Sequence, residues 1–305
     1  MKKILFLLVL LCVIPYIIIV LFLPNRIDSH FQFESNQVVR VRREKAGLIE
    51  EVPLEEYVIG VLAGEMPVSF ELEALKAQAV AARSYVMKKM EYNQEDDYDI
   101  LDTPQNQMYI SMEELKNSWG NDFQNNYQKL YQAVMETSGE YLTYDGNLIE
   151  AFYFSTSSGM TENSGEVFQT QLPYLISVKS EWDQDVSPVF IENVTFSLYD
   201  LYTKLNIPYQ DILEISVQKM TSTGRIKEIL INDKLFTGNE VAYDLDLRSS
   251  YFSIKQEGNE VSIQTKGYGH GVGMSQYGAE GMAKKGYQYD EILKYYYHGV
   301  EIAKI

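Results

Sequence analysis

The first apolar block of the chain is unbroken: residues 4–23 (ILFLLVLLCVIPYIIIVLFL) carry no charged side chain. At about 1.5 Å per helical residue such a run crosses a hydrocarbon core of about 30 Å, so it predicts one transmembrane helix over 1–24. Lys2 and Lys3 precede it and Asp28 and Glu34 follow it, which puts the N-terminus in the cytoplasm and the rest outside the membrane. The run exceeds the h-region of a signal peptide and no small-x-small cleavage site follows, so it reads as an uncleaved anchor. Residues 25–51 are polar and mixed in charge, a stalk with one strand at 37–42.

From residue 52 the period changes. Leu54, Tyr57, Val58, Val61 and Leu62 recur at helical spacing behind Pro53, whose fixed φ suits a first turn, and the pattern breaks at GEMP. A second helix follows in ELEALKAQAVAARSYVMKKM, with Glu71 and Glu73 at its start, Lys88 and Lys89 at its end and many alanines between. That composition marks a slender, buried helix. After an acidic loop and a helix near 127–138, EYLTYDGNLIEAFYFSTSSG alternates on both sides of Asp145-Gly146. This is a hairpin signature whose second strand runs on to Ser155–Gly159.

From about 194 to 266 a short helix at 198–205 and the runs EISVQKM, IKEILIN, YFSIKQE and EVSIQTK predict a small inserted α+β subdomain. Helices return in MSQYGAEGMAKKG and DEILKYYYHG, the latter stopped by Gly299. The class is α+β: a helix-rich body over 52–305 with a β-hairpin and an inserted strand-rich subdomain.

Charge and cysteine content narrow the role. A net charge of −17 over 305 residues argues against nucleic acid and against an anionic lipid surface. The only cysteine, Cys12, lies in the apolar run, which leaves the outer portion without a disulfide or a cysteine-built zinc site. His30, His270 and His298 are dispersed, so no metal site and no cofactor are expected. Ser155 and Ser157 lie in no G-x-S-x-G elbow and are poor nucleophiles.

Two positions carry candidate chemistry. Glu65 sits among alanine, glycine, methionine and proline where the first helix breaks. It is either a solvated glutamate of a helix-ending turn or a carboxyl whose pKa apolar neighbours raise toward that of a general acid. In GYGHGVGMSQYG the glycines alternate as GxGxGxG, not in dinucleotide-binding spacing. They read as a backbone needing positive φ or close approach and presenting His270, either to a ligand or to a structural hydrogen bond.

Three segments together, LEEYVIGVLAGEMPVSFELEALKAQAVAARSY, AFYFSTSSGMTENSGEVF with PYLISVKSEWD, and GYGHGVGMSQYGAEGMAKKGYQYDEILKYYYHGVEI, resemble the SpoIID/LytB family from about residue 52 to the C-terminus. The resemblance implies a lytic transglycosylase that cleaves MurNAc-GlcNAc bonds of peptide-stripped peptidoglycan glycan strands during engulfment in endospore formation. It implies tethering to the mother-cell membrane. It also implies two partners, the amidase/endopeptidase stage II sporulation protein P and the multi-span stage II sporulation protein M. The family's catalytic glutamate falls on Glu65.

Arg83, one helix away, is then placed to hold a polar substrate group or the carboxylate, unless it forms a structural salt bridge. Gln107, Tyr109, Ser157, Thr161, Glu162, His270, Gln276 and Tyr277 fall in the resembling loops as candidate groove residues. Glu162, if it stood opposite Glu65, would supply the second carboxyl of a hydrolase. The zinc-binding cysteine/histidine cluster of some relatives has no counterpart in ILDTPQNQMY, and only one glycine, Gly159, follows the serine/threonine loop. A non-catalytic glycan-binding scaffold is the remaining alternative.

Overall fold

The computed structural model describes residues 31, 33, 37–168 and 170–305. The apolar run, Cys12, His30 and the first part of the stalk lie outside the described residues, among which no helix is long and apolar enough to cross a membrane. Residues 37–305 cluster as one unit, and the second half of the stalk belongs with it. Strands β1 (Val38–Arg43) and β2 (Leu48–Pro53) pair antiparallel, and β3 (Ile100–Leu101) lies parallel to β1. The alternation in VVRVRR buries Val39 and Val41. Arg40, on the opposite face, pairs with Asp99 at 2.6 Å, and Arg43, at the end of the valine face, pairs with Asp102 at 2.9 Å.

The body is built on α1 (Leu54–Glu65), α2 (Leu72–Tyr92), α3 (Met112–Trp119) and α4 (Phe123–Glu136). Pro53 caps α1 with φ −52°, and Met66 leaves the helix in an extended conformation, as a residue before proline must. The alanines of α2 do what their size permits: Ala74, Ala77, Ala81 and Ala82 are fully buried, and α1, α4 and the two C-terminal helices pack on this one helix. Ser111 and Glu114 close a capping box at the start of α3.

Asp145 and Gly146, with φ of 49° and 73°, turn the hairpin of β4 (Glu140–Tyr144) and β5 (Asn147–Leu148). The second strand does not run on to Ser155 as its alternation predicts. The Phe152 N–H donates back to the Glu150 carbonyl, the chain bends, and β6 (Tyr153–Phe154) instead pairs parallel with β13 (Met274–Ser275). Two short helices follow, α5 (Ser164–Val167) and α6 (Trp182–Val186).

The inserted lobe spans β7 (Ile191–Ser197), α7 (Leu198–Lys204), β8 (Ile215–Met220), β9 (Ile226–Ile231), β10 (Lys234–Thr237), α8 (Gly238–Asp244), β11 (Phe252–Glu257) and β12 (Glu260–Lys266). Its strands form two three-stranded sheets, ordered β11-β12-β7 and β10-β9-β8. They enclose a core of their own that includes Leu201, Tyr202, Ile229, Val241, Val261 and Ile263. The chain then returns to the body through α9 (Gln276–Lys284), α10 (Tyr289–Tyr296) and β14 (Glu301–Lys304), which pairs with β4.

Candidate active site

Glu65 is the last residue of α1 and opens on a cleft of about 550 Å³. Two glycines one turn apart shape this corner. A Cβ on Gly60 would lie 2.6 Å from the Ile110 carbonyl oxygen, and one on Gly64 would collide with the carbonyl of Met108. Their absence lets the segment before α3 lie directly on α1. It delivers the Met108 N–H to Glu65 Oε1 at 2.8 Å.

Burial raises the pKa of Glu65 from its ordinary value, with the Met108 N–H and the Gln276 side chain pulling the other way. Its position at the negative end of the α1 dipole also disfavours charge. The Gln276 amide comes near enough to steady the carboxylate. Its approach lacks hydrogen-bond geometry, however, and Nε2 keeps an unmet N–H among the described residues. The amide nitrogen is buried beside the carboxylate at the cleft wall.

The rest of the cleft is largely aromatic and uncharged. Tyr85, Phe152, Tyr153, Phe154, Phe168 and Tyr268 line it with Asn106, Ser155 and His270, and Glu65 is its only ionised-type side chain among the described residues. Aromatic faces with scattered polar tips suit the apolar faces and hydroxyls of sugar rings.

His270 is presented by the glycine ribbon. Gly267, Gly269, Gly271 and Gly273 all have positive φ, from 73° to 99°, and the ribbon lies so close on residues 152–158 that a Cβ on Gly267 would be 2.7 Å from the Thr156 carbonyl oxygen. The ring sits 5.6–6.0 Å from the centroids of Phe152, Phe154 and Phe168. Burial and then the Arg225 charge push its pKa down to about 4, against a hydrogen bond to the Tyr153 backbone. It is a neutral imidazole whose Nδ1 accepts the Val272 N–H at 3.1 Å.

Glu65, His270 and Gln276 therefore meet in one cleft, whereas the other candidate positions do not line it. Arg83 is fully buried and forks onto Glu55, with Nη2 2.6 Å from Oε2 and Nη1 2.9 Å from the Glu140 carbonyl. It forms a buried ion pair and does not line the cleft. Tyr109 stacks on Tyr57 with centroids 5.2 Å apart and lies under the Arg43 guanidinium, away from Glu65. Ser157 and Thr161 are buried and hold their loop together, Ser157 through the Asp183 carboxylate and the Ser180 carbonyl and Thr161 through Val178. Glu162 is fully buried against Arg225 and Thr223, so it is no second carboxyl for the cleft. Tyr277 turns its ring onto Phe70. Gln107 is fully buried and lies behind the cleft wall, touching Tyr153.

Sequence reasoning missed the aromatic wall and the Met108 N–H. The alternating AFYF marked the wall's strand, but nothing local says which face a two-residue strand presents. Among the described residues no group of three His, Cys, Asp or Glu side chains could hold a metal ion.

The profile of the family described as SpoIID, Stage II sporulation protein, matches residues 42–144, the part that holds Glu65 and Met108. The chain is 43% identical to Stage II sporulation protein D of Bacillus amyloliquefaciens over 89% of this chain and 80% of that one. It is 41% identical to Stage II sporulation protein D of Bacillus subtilis (strain 168) over 84% and 76%. It is also 31% identical to the Amidase enhancer of Bacillus subtilis (strain 168), over 80% of this chain and 40% of that protein.

Proposed function

The chain belongs to the stage II sporulation protein D family, and from that premise we propose that it is a lytic transglycosylase cleaving MurNAc-GlcNAc bonds in peptide-stripped glycan strands during engulfment. The observation that carries the reading is Glu65 as the sole carboxyl, among the described residues, of an aromatic cleft, with burial raising its pKa. A carboxyl so placed is protonated over a wider pH range and serves as a general acid.

In the reaction Glu65 gives its proton to the glycosidic oxygen, the C1–O bond breaks with its electron pair going to that oxygen, and the GlcNAc hydroxyl departs. The muramyl C6 hydroxyl oxygen then bonds to C1, and its proton returns to the Glu65 carboxylate. The substrate is its own nucleophile, so no second carboxyl is needed. A glycosidase that hydrolyses the bond would need one, and the burial of Glu162 in its pair with Arg225 speaks for the single-carboxyl route.

The reading extends to the cell. Residues 1–24 anchor the chain in the mother-cell membrane with the N-terminus in the cytoplasm and the body in the space between the membranes. Stage II sporulation protein P strips stem peptides ahead of it, and stage II sporulation protein M holds it in the membrane. A relative named Amidase enhancer supports work beside an amidase. The test is purified protein, wild type and Glu65→Gln, on amidase-denuded glycan strands with products read by mass spectrometry. Anhydro-muramyl ends from the wild type alone are expected. Reducing muramyl ends would make it a hydrolase, and no product from a folded, glycan-binding protein would make it a scaffold.

A further inference from the structure

Behind the cleft wall lies a hydrogen-bonded relay in which every proton can be assigned. Gln107 is fully buried, and one end of its amide faces the Ala82 carbonyl at 3.2 Å. A carbonyl only accepts, so that end is Nε2. The same nitrogen lies 3.0 Å from the Tyr153 hydroxyl oxygen, so its second hydrogen goes there and the hydroxyl oxygen is an acceptor. The other end, Oε1, takes the Tyr57 hydroxyl hydrogen at 3.0 Å, which leaves the amide no freedom to turn over. The Tyr153 proton must therefore point elsewhere. Tyr153 lines the cleft, and no described group accepts its hydrogen. Glu65 is close enough for its charge to raise the tyrosine's pKa, yet the hydrogen bond its carboxylate accepts comes from the Met108 N–H.

We infer that Tyr153 is a substrate-binding residue whose hydroxyl, aimed by Gln107 and Tyr57, donates a hydrogen bond to a sugar oxygen beside the bond that Glu65 cleaves. This rests on the reading of the cleft as a glycan site. Burial and the Glu65 charge keep the phenol neutral, so it is a donor and never a competing base. It gives the cleft a preset donor beside its one acid. Gln107 is a positioning residue: it touches no substrate and acts through the direction it imposes on Tyr153. The sequence-based assignment of Gln107 to the groove is thus recast as an indirect role.

The experiment measures binding separately from turnover. Peptide-free glycan strands are titrated into full-length protein in detergent carrying Glu65→Gln, with and without Tyr153→Phe. Loss of one hydrogen bond in a desolvated site weakens binding by about tenfold. A change under twofold in a protein with unaltered melting overturns the inference. Gln107→Glu supplies the second arm: it puts an acceptor oxygen opposite Tyr153, the hydroxyl turns back toward it, and glycan affinity falls as in Tyr153→Phe. Full affinity in a folded Gln107→Glu protein would also refute the relay. Wild-type protein that yields no anhydro ends would sink the proposed reaction, while the affinity difference between the two Glu65→Gln proteins would still decide the role of Tyr153.

Discussion

Protonation of His270 asks the fold to surrender several things at once. The Val272 N–H loses its acceptor, because a protonated Nδ1 carries hydrogen. A full charge appears among three phenylalanine rings and near the Arg225 guanidinium. Burial first and Arg225 second hold the ring's pKa at about 4, against an ordinary 6.5. The unfolded chain thus takes the proton near pH 6.5 and the folded one only near pH 4. Stability from neutral His270 is complete above about pH 6.5 and is lost as the pH falls toward 4. At about 1.4 kcal/mol per pH unit, the gap from 6.5 to about 4 amounts to about 3 kcal/mol. About 2 kcal/mol of this is gone by pH 5. The assay is urea unfolding of wild type and His270→Asn at pH 7 and pH 5, the variant keeping an acceptor near Val272 without a titrating ring. The advantage of wild type over the variant should shrink by about 2 kcal/mol at the lower pH. An advantage equal at both values would refute the reasoning.

Arg83→Ala strands the Glu55 carboxylate in the interior with only Ser138 and Gly139 as donors; it should cost about 3–5 kcal/mol in urea unfolding. A variant of normal stability that no longer cleaves glycan would return Arg83 to the substrate. Gly64→Ala drives a methyl group into the Met108 carbonyl and pushes its N–H off Glu65; kcat should fall by about tenfold or more, and unchanged kcat would show that this contact does not matter. Glu65, with its pKa raised in the folded state, detracts from stability as the pH rises through that pKa and costs nothing well below the unfolded value. Glu65→Gln should therefore melt higher than wild type at pH 7 and level with it near pH 4, and calorimetry showing the reverse order would contradict the burial argument.

Much of the frame was legible because its signals are local. The proline before α1, the alanines of α2, the Asp145-Gly146 turn and the strand runs of the lobe each act through near neighbours in sequence. The strand β7 and the pair β10 and α8 went unread, although Thr237 and Glu240 spell a capping box that marks the start of α8. Glu65 could be singled out because an acid among apolar residues is conspicuous in one dimension. The fates of Arg83, Glu162 and Gln107 could not be read this way. Each is settled by a partner distant in sequence: Glu55 on another helix, Arg225 in the inserted lobe, Tyr153 on a two-residue strand. A charge or amide in a family-like loop looks the same whether it faces substrate or a buried mate.

The lobe leaves and rejoins the body along neighbouring strands: Ile191 stands opposite Lys266 and Ser197 opposite Glu260. Its two ends are thus held at a fixed separation by their own ladder, and its interior is filled by its own side chains. Residues could be added or lost between those strands without altering the spacing of the chain on either side. Its hold on the cleft runs through the turn before β9, where Arg225 grips Glu162 and the Gly269 carbonyl behind His270, Thr223 donates to Glu162 and Ser222 to Glu166. The outer lobe can accordingly be shortened or lengthened away from that turn while the chemistry stays put, so long as Ser222, Thr223 and Arg225 keep their grip on the loop of Glu162 and Glu166.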